Sequence, residues 1–177
     1  MANKKIALFD RDGTLIKEPA GERLIREQDI ELYPDTVEAL SELNKNGFSI
    51  IIITNQAGVS EGLITIEEFN RLHQIVLDQL APSSIEVLKT YVCPHGPKDN
   101  CNCRKPNTKM FEDAARDFGF DLKKVFMVGD RESDIKAAKN VGAKSIFLNT
   151  GLQEIESGLA DYEVGNLLQA VNIILTK

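Results

Sequence analysis

A doubly wound α/β domain built on a mostly parallel sheet is the fold class that three features of this 177-residue chain predict. Apolar segments of strand length alternate with segments of helical period, the helical segments carry start and stop signals, and polar residues gather directly after the strands. Right-handed crossovers between such strands permit little but a parallel sheet with helices on both faces.

Ile6 to Phe9 reads as a buried strand. Asp35, with Glu38 three residues on, opens a helix carrying Val37, Leu40 and Leu43, which Gly47 closes. Phe48 to Ile53 is the second strand. Thr65 and Glu68 form a capping box for a helix reaching about Leu80, with Phe69, Leu72, Val76 and Leu80 on its apolar face and Pro82 beyond its end. Val87 to Val92 is a third strand, Lys109 to Phe118 a helix stopped by Gly119, and Val125 to Val128 a fourth strand. Ser133 to Val141 is a helix ended by Gly142, Lys144 to Leu148 a fifth strand, and Leu167 to Leu175 a last helix packed on the sheet. Gly58 and Gly62 suggest a turn that needs unusual dihedrals, and the spacing of a dinucleotide fingerprint is absent.

The length suits one domain over residues 1–177, and 42% hydrophobic with 27% charged residues is ordinary globular usage. No segment approaches a membrane span, and the strand beginning at Ile6 leaves no room for a signal peptide, so a cytoplasmic protein without a membrane partner is expected. A net charge of -6 argues against binding nucleic acid by bulk electrostatics, and the size and charge suit a monomer.

The strand ends share one character. Asp10-Arg11-Asp12-Gly13-Thr14 follows the first, Thr54-Asn55-Gln56 the second, Arg104-Lys105 the third with its loop, and Gly129-Asp130-Arg131 the fourth, with Asp134 beyond. Ligands in open α/β sheets sit outside the carboxyl ends of the strands. Carboxylates from two such ends make an oxygen-lined pocket suited to Mg²⁺.

All three cysteines fall within eleven positions, as Cys93, Cys101 and Cys103, together with His95. Three thiols cannot all pair with one another, whereas three thiolates and an imidazole form a closed tetrahedral structural Zn²⁺ set. The alternative is a loop of reduced, solvent-facing thiols. Because Arg104 and Lys105 directly follow the last ligand, zinc would splint a coreless loop and aim two cations at the pocket.

Asp10-x-Asp12-Gly13-Thr14, Thr54, Lys105 and Gly129-Asp130-x-x-x-Asp134 resemble the four motifs of the haloacid dehalogenase superfamily, a Rossmann-like fold, over nearly all of the chain. With Cys93-Pro94-His95 and Cys101-x-Cys103-Arg104-Lys105-Pro106, they are similar to its capless, zinc-containing phosphatases. That group includes the D-glycero-D-manno-heptose 1,7-bisphosphate and histidinol-phosphate enzymes. The resemblance implies phosphomonoester hydrolysis of a small phosphorylated metabolite. Asp10 would be the nucleophile, Asp12 the general acid and base with its backbone carbonyl on Mg²⁺, and Asp130 a further Mg²⁺ ligand. Thr54 and Lys105 would hold the phosphoryl group, and Asn55, Gln56, Arg104 and Arg131 are candidates for contact with the substrate. Asp134 would touch the metal through water, hold Lys105 or complement its helix dipole, while Arg11 and Arg131 would meet substrate or form local ion pairs. His73 would be a packing or surface residue.

About twenty residues separate the first strand from the first helix, too few for a lid domain, so the pocket should be open, walled by Ile16 to Ile30, Gln56 to Leu63 and the zinc loop. Leu15-Ile16-x-Glu18-Pro19 and Arg104-Lys105-Pro106-Asn107-x-Lys109 look like the histidinol-phosphate enzyme, whereas Thr54-Asn55-Gln56-x-Gly58-x-x-x-Gly62, the C-terminal tail and the absence of a dehydratase domain point to the heptose enzyme. A polynucleotide 3'-phosphatase and a non-catalytic phosphoacceptor domain are the remaining alternatives.

Overall fold

A computed structural model describes residues 4–19 and 26–177. The expected pocket wall from Ile16 to Ile30 lies in part, at residues 20–25, outside those described. Along the chain run β1 (Lys5–Phe9), α1 (Thr36–Lys45), β2 (Phe48–Asn55), α2 (Ala57–Ser60), α3 (Ile66–Leu80), β3 (Val87–Cys93), α4 (Lys109–Phe118), β4 (Phe126–Gly129), α5 (Glu132–Asn140), β5 (Lys144–Leu148), β6 (Tyr162–Val164) and α6 (Leu167–Thr176). The six strands form one sheet in the order β3-β2-β1-β4-β5-β6, and all five pairings are parallel.

Burial follows the strand period of two. In β1, Ala7 and Phe9 belong to a core shared with α1 and α6, while Ile6 and Leu8 face the core made with α4 and α5. A strand buried on both sides reads as a continuous apolar run, the usual sign of a parallel sheet. A third cluster gathers Ile16, Ile30 and Ile64 against Phe69, Leu72 and Val76 of α3. Each of the large apolar side chains among them contributes on the order of 1.5–3 kcal/mol.

The capping box of α3 forms as expected: Thr65 Oγ1 accepts from the Glu68 N–H at 3.1 Å, and Glu68 Oε2 accepts from the Thr65 N–H at 2.7 Å. Asp35 departs from expectation. It precedes α1 with helical backbone angles and makes no side-chain cap. Its carboxylate instead accepts from the Leu168 N–H at 3.1 Å, at the start of α6. Gly62 has the positive φ expected of its turn, at +71°, whereas Gly58 lies in the short helix α2. The strand β6, only three residues long, was not foreseen; it pairs through Ile146 and Tyr162 and extends the sheet at its edge. Among the described residues no helix is long and apolar enough to cross a membrane.

Candidate active site

The carboxyl ends of β1, β2 and β4 converge on one pocket with the loop after β3. Asp10, directly after β1, and Asp130, directly after β4, are nearly enclosed, at 5% and 1% exposure. Asp134, in the first turn of α5, is buried with them, and one oxygen of each of the three lies within 4.8 Å of the others.

Lys105 reaches two of this trio, Asp10 and Asp134. Three oxygens surround its Nζ: Asp10 Oδ1 at 2.7 Å, the Ile53 carbonyl at 2.6 Å and Asp134 Oδ1 at 2.6 Å. Burial opposes the charge on Lys105, yet Asp10 and Asp134 outweigh it and raise the ammonium pKa above the ordinary value. Of the three expected roles of Asp134, holding Lys105 is thus formed. Its second oxygen accepts from the Arg131 N–H at 3.1 Å, which also caps α5.

Burial pushes the Asp10 carboxyl up to about 7; the charge of Lys105 counters this, and Asp134 and Asp12 add to it. Asp130 is pushed up to about 8 by burial and then by Asp10 and Asp134, with Arg131 opposing. Thr14 Oγ1 donates to Asp130 Oδ1 at 3.2 Å, while Asp130 Oδ2 has no hydrogen-bond partner among the described residues. Crowded buried carboxylates with an unsatisfied oxygen are the donor set that a hard divalent cation satisfies, so Asp10 and Asp130 fit Mg²⁺ while Asp134 is engaged by Lys105 and the Arg131 N–H.

Two glycines make this crowding possible. Gly13 has φ of +81°, and a β-carbon there would stand 2.2 Å from Asp130 Oδ2. At Gly129 a β-carbon would stand 2.4 Å from the Asp134 β-carbon.

The Asp12 side chain is held by two other partners. Its Oδ1 accepts from Arg11 NH1 at 2.9 Å and its Oδ2 from Gln56 Nε2 at 2.5 Å. That leaves the expected backbone carbonyl, not the carboxylate, for a metal. Arg11 is wholly buried, with its guanidinium carbon 5.1 Å from the centre of the Phe69 ring, so it forms a local ion pair and does not line the pocket. Gln56 Nε2 also donates to Thr54 Oγ1 at 2.9 Å. The Thr54 hydroxyl therefore accepts from the protein and keeps its own proton for another acceptor.

Asp10, Asp12, Asn55, Gln56, Lys105 and Asp134 line the pocket together with Glu18, Arg104 and Arg131; Thr54 and Asp130 are buried beside it. Arg131 NH2 pairs with Glu18 Oε2, and Arg104 NH1 donates to the His95 carbonyl at 3.0 Å. Ser133 and Ile64 also line it, and no motif in the sequence marks either as a site residue. Leu63, expected in the wall, is instead 52% exposed. His73 stacks on Phe69 with ring centres 5.7 Å apart, and its Nε2 meets Thr90 Oγ1 at 2.7 Å, as befits a packing residue.

Behind Arg104, the zinc candidates converge. Cys93 Sγ lies 3.6 Å from both His95 Nδ1 and Cys101 Sγ, and Cys103 Sγ lies 3.2 Å from His95 Nδ1 and 3.1 Å from Cys93 Sγ. A tetrahedral zinc–thiolate site has donor-to-donor edges of roughly 3.7 Å, so this set fits Zn²⁺ after a small expansion. The Arg104 N–H points at Cys101 Sγ at 3.4 Å, a hydrogen bond that favours a thiolate.

Comparison with known proteins places the chain in a family. The family described as polynucleotide kinase 3 phosphatase matches residues 5–150. A probable D-glycero-D-manno-heptose-1,7-bisphosphate 7-phosphatase of Thermoplasma volcanium is 37% identical over 138 residues, covering 78% of this chain and 93% of that protein. A histidine biosynthesis bifunctional protein HisB of Campylobacter jejuni is 36% identical over 157 residues, which is 88% of this chain. The chain spans 45% of that protein's length and 40% of its Legionella pneumophila counterpart. The crystal structure of D,D-heptose 1,7-bisphosphate phosphatase from B. bronchiseptica, complexed with magnesium and phosphate, superimposes with a TM-score of 0.86 at 26% identity, covering 97% of this chain and 98% of that one. A family match over most of the chain, a relative matched over nearly its full length and a parallel sheet with acidic strand ends lead to one assignment: the chain belongs to the polynucleotide kinase 3 phosphatase family of haloacid dehalogenase-like phosphatases.

Proposed function

We propose that this chain, as one domain, hydrolyses a phosphate monoester of a small metabolite through a phospho-Asp10 intermediate, and that the metabolite is D-glycero-D-manno-heptose 1,7-bisphosphate, cleaved at the 7-phosphate. The observation that carries the reaction is the buried Asp10 carboxylate, with Lys105 Nζ at 2.7 Å on one oxygen and Asp130 and Asp134 beside it. Similarity across 93% of the Thermoplasma protein and 78% of this chain, with the match to the heptose phosphatase structure, supports the substrate.

Asp10, Asp130 and the Asp12 carbonyl would hold Mg²⁺, which supplies countercharge for the phosphoryl oxygens and for the crowded carboxylates. The free oxygen of Asp10 attacks phosphorus, forming an Asp10–phosphorus bond as the ester oxygen–phosphorus bond breaks. Asp12 gives its proton to the departing alkoxide, then takes one from the water that attacks the phosphoryl group, releasing phosphate and restoring the Asp10 carboxylate. Thr54 donates its remaining hydroxyl proton to a phosphoryl oxygen. Lys105 neutralises charge on nucleophile and phosphate together, worth on the order of several kcal/mol where water is scarce. Arg104 and Arg131 face the organic part of the substrate. Cys93, His95, Cys101 and Cys103 would hold Zn²⁺, which has no open position for substrate and serves structure alone.

Histidinol phosphate is the second reading, favoured by 36% identity across 88% of the chain to the HisB protein. The family's printed description raises a polynucleotide 3'-phosphate as well. A chain of net charge -6 working as a soluble cytoplasmic monomer suits a metabolite better, because counterion release needs a clustered basic face. Phosphate release with Mg²⁺ from heptose 1,7-bisphosphate, histidinol phosphate and a 3'-phosphorylated oligonucleotide decides among them. The highest kcat/KM is expected for the heptose ester, and a preference for either of the others would replace that assignment.

A further inference from the structure

Asn55 lines the pocket, yet its hydrogen bonds run to the protein. Its Nδ2 donates to the Lys105 carbonyl at 3.1 Å, and its Oδ1 accepts from the Lys105 N–H at 3.0 Å. A carboxamide that both donates to and accepts from the backbone of one residue copies the pairing of a neighbouring strand, and so fixes that peptide in place and in orientation. Asn55 ends β2, an interior strand, and its own backbone is in register with Cys93 of β3. Through it, Lys105, 50 residues away, is referenced directly to the sheet.

Lys105 needs such a reference. Its ammonium ends a flexible four-carbon stem, and the three oxygens that it meets belong to Asp10 after β1, Ile53 in β2 and Asp134 in α5. The cysteine loop supplies separate support, through the Arg104 N–H on Cys101 Sγ, and Asn140 Nδ2 donates to the Pro106 carbonyl at 3.1 Å.

We propose that Asn55 is a positioning residue: its two-point clasp on the Lys105 backbone sets Nζ against the phosphoryl group, and it makes no contact with substrate. This rests on the phosphatase reading above. Loss of Asn55 then acts only through Lys105, and it leaves the zinc content unchanged.

The test is a double-mutant cycle read as affinity for inorganic phosphate at saturating Mg²⁺, by calorimetry, with kcat and KM of the best substrate measured alongside. Asn55→Leu is expected to weaken phosphate binding about tenfold and to lower kcat, since a displacement near 1 Å is enough for such losses. In a Lys105→Met background the same change is expected to shift phosphate affinity less than twofold. An equal tenfold loss in both backgrounds overturns the proposal and returns Asn55 to the substrate. If Lys105→Met fails to fold, the acylation rate of Lys105 in Asn55→Asp, followed by peptide mapping, replaces the cycle. That variant keeps an acceptor for the Lys105 N–H but sets an oxygen against its carbonyl, so faster acylation supports the clasp and an unchanged rate overturns it. A wild-type protein that binds no phosphate and turns over no ester overturns the phosphatase reading itself, a failure distinct from failure of the clasp.

Discussion

At Gly13 the backbone sits at φ of +81° with Asp130 where a β-carbon would be, so the position combines a left-handed conformation with a steric exclusion. Gly13→Ala is expected to cost about 1–3 kcal/mol of stability and to push Asp130 out of line. Thermal unfolding and a Mg²⁺ titration of turnover would check both, and native-like Mg²⁺ dependence would contradict the arrangement. Asp10→Asn keeps shape but removes the nucleophile, so turnover should fall by about a thousandfold or more while the fold persists. His73 provides a pH prediction. Burial first, and then the charge of Arg11, lowers it to about 4, with Asp12 opposing. The unfolded chain therefore binds the proton more readily than the native one. Stability is complete above about pH 6.5 and declines as pH falls towards 4, by up to about 3 kcal/mol. His73→Leu should flatten that decline in denaturant titrations. Which residues gather at the strand ends was legible from their places in the chain, but the direction of their side chains was not. Asn55 and Gln56 follow Thr54 in the chain, and only the packing of a loop 50 residues away shows the Asn55 amide turned upon Lys105.

Among the elements, α3 was legible because its cap is local: Thr65 and Glu68 lie three residues apart, and no distant partner competes for them. Thr65→Ala should cost about 1 kcal/mol in chemical denaturation. The same pattern at Asp35 and Glu38 misled, since the N-terminus of α6 claims the Asp35 carboxylate, a partner 133 residues away. The strand β6 escaped notice because three residues are too few to show a period. If the cysteine loop holds Zn²⁺ as proposed, its order depends on chemistry outside the chain. Removing its metal with a chelator should increase proteolysis between Cys93 and Cys103, raise KM and lower kcat together. Full activity after zinc loss, verified by metal analysis, would remove the splint role.

For the whole molecule, alternation of strands and helices was enough to foresee a parallel sheet, and a parallel sheet delivers every strand's carboxyl end to the same edge. That single geometric fact brings Asp10, Asn55, Lys105 and Asp134, which lie up to 124 positions apart in the chain, to one pocket, with Asp130 beside Asp10 and Asp134. Strand order was beyond the sequence pattern, because it is decided by which apolar faces α1, α4, α5 and α6 cover together. The central claim is that this edge performs phosphoryl transfer through Asp10. Acid quenching during steady-state turnover with Mg²⁺, followed by mass spectrometry of the peptide bearing Asp10, tests it most directly. The account predicts one phosphoryl group on Asp10, absent from Asp10→Asn; rapid turnover with that peptide unmodified, or with the label on another residue, would contradict it.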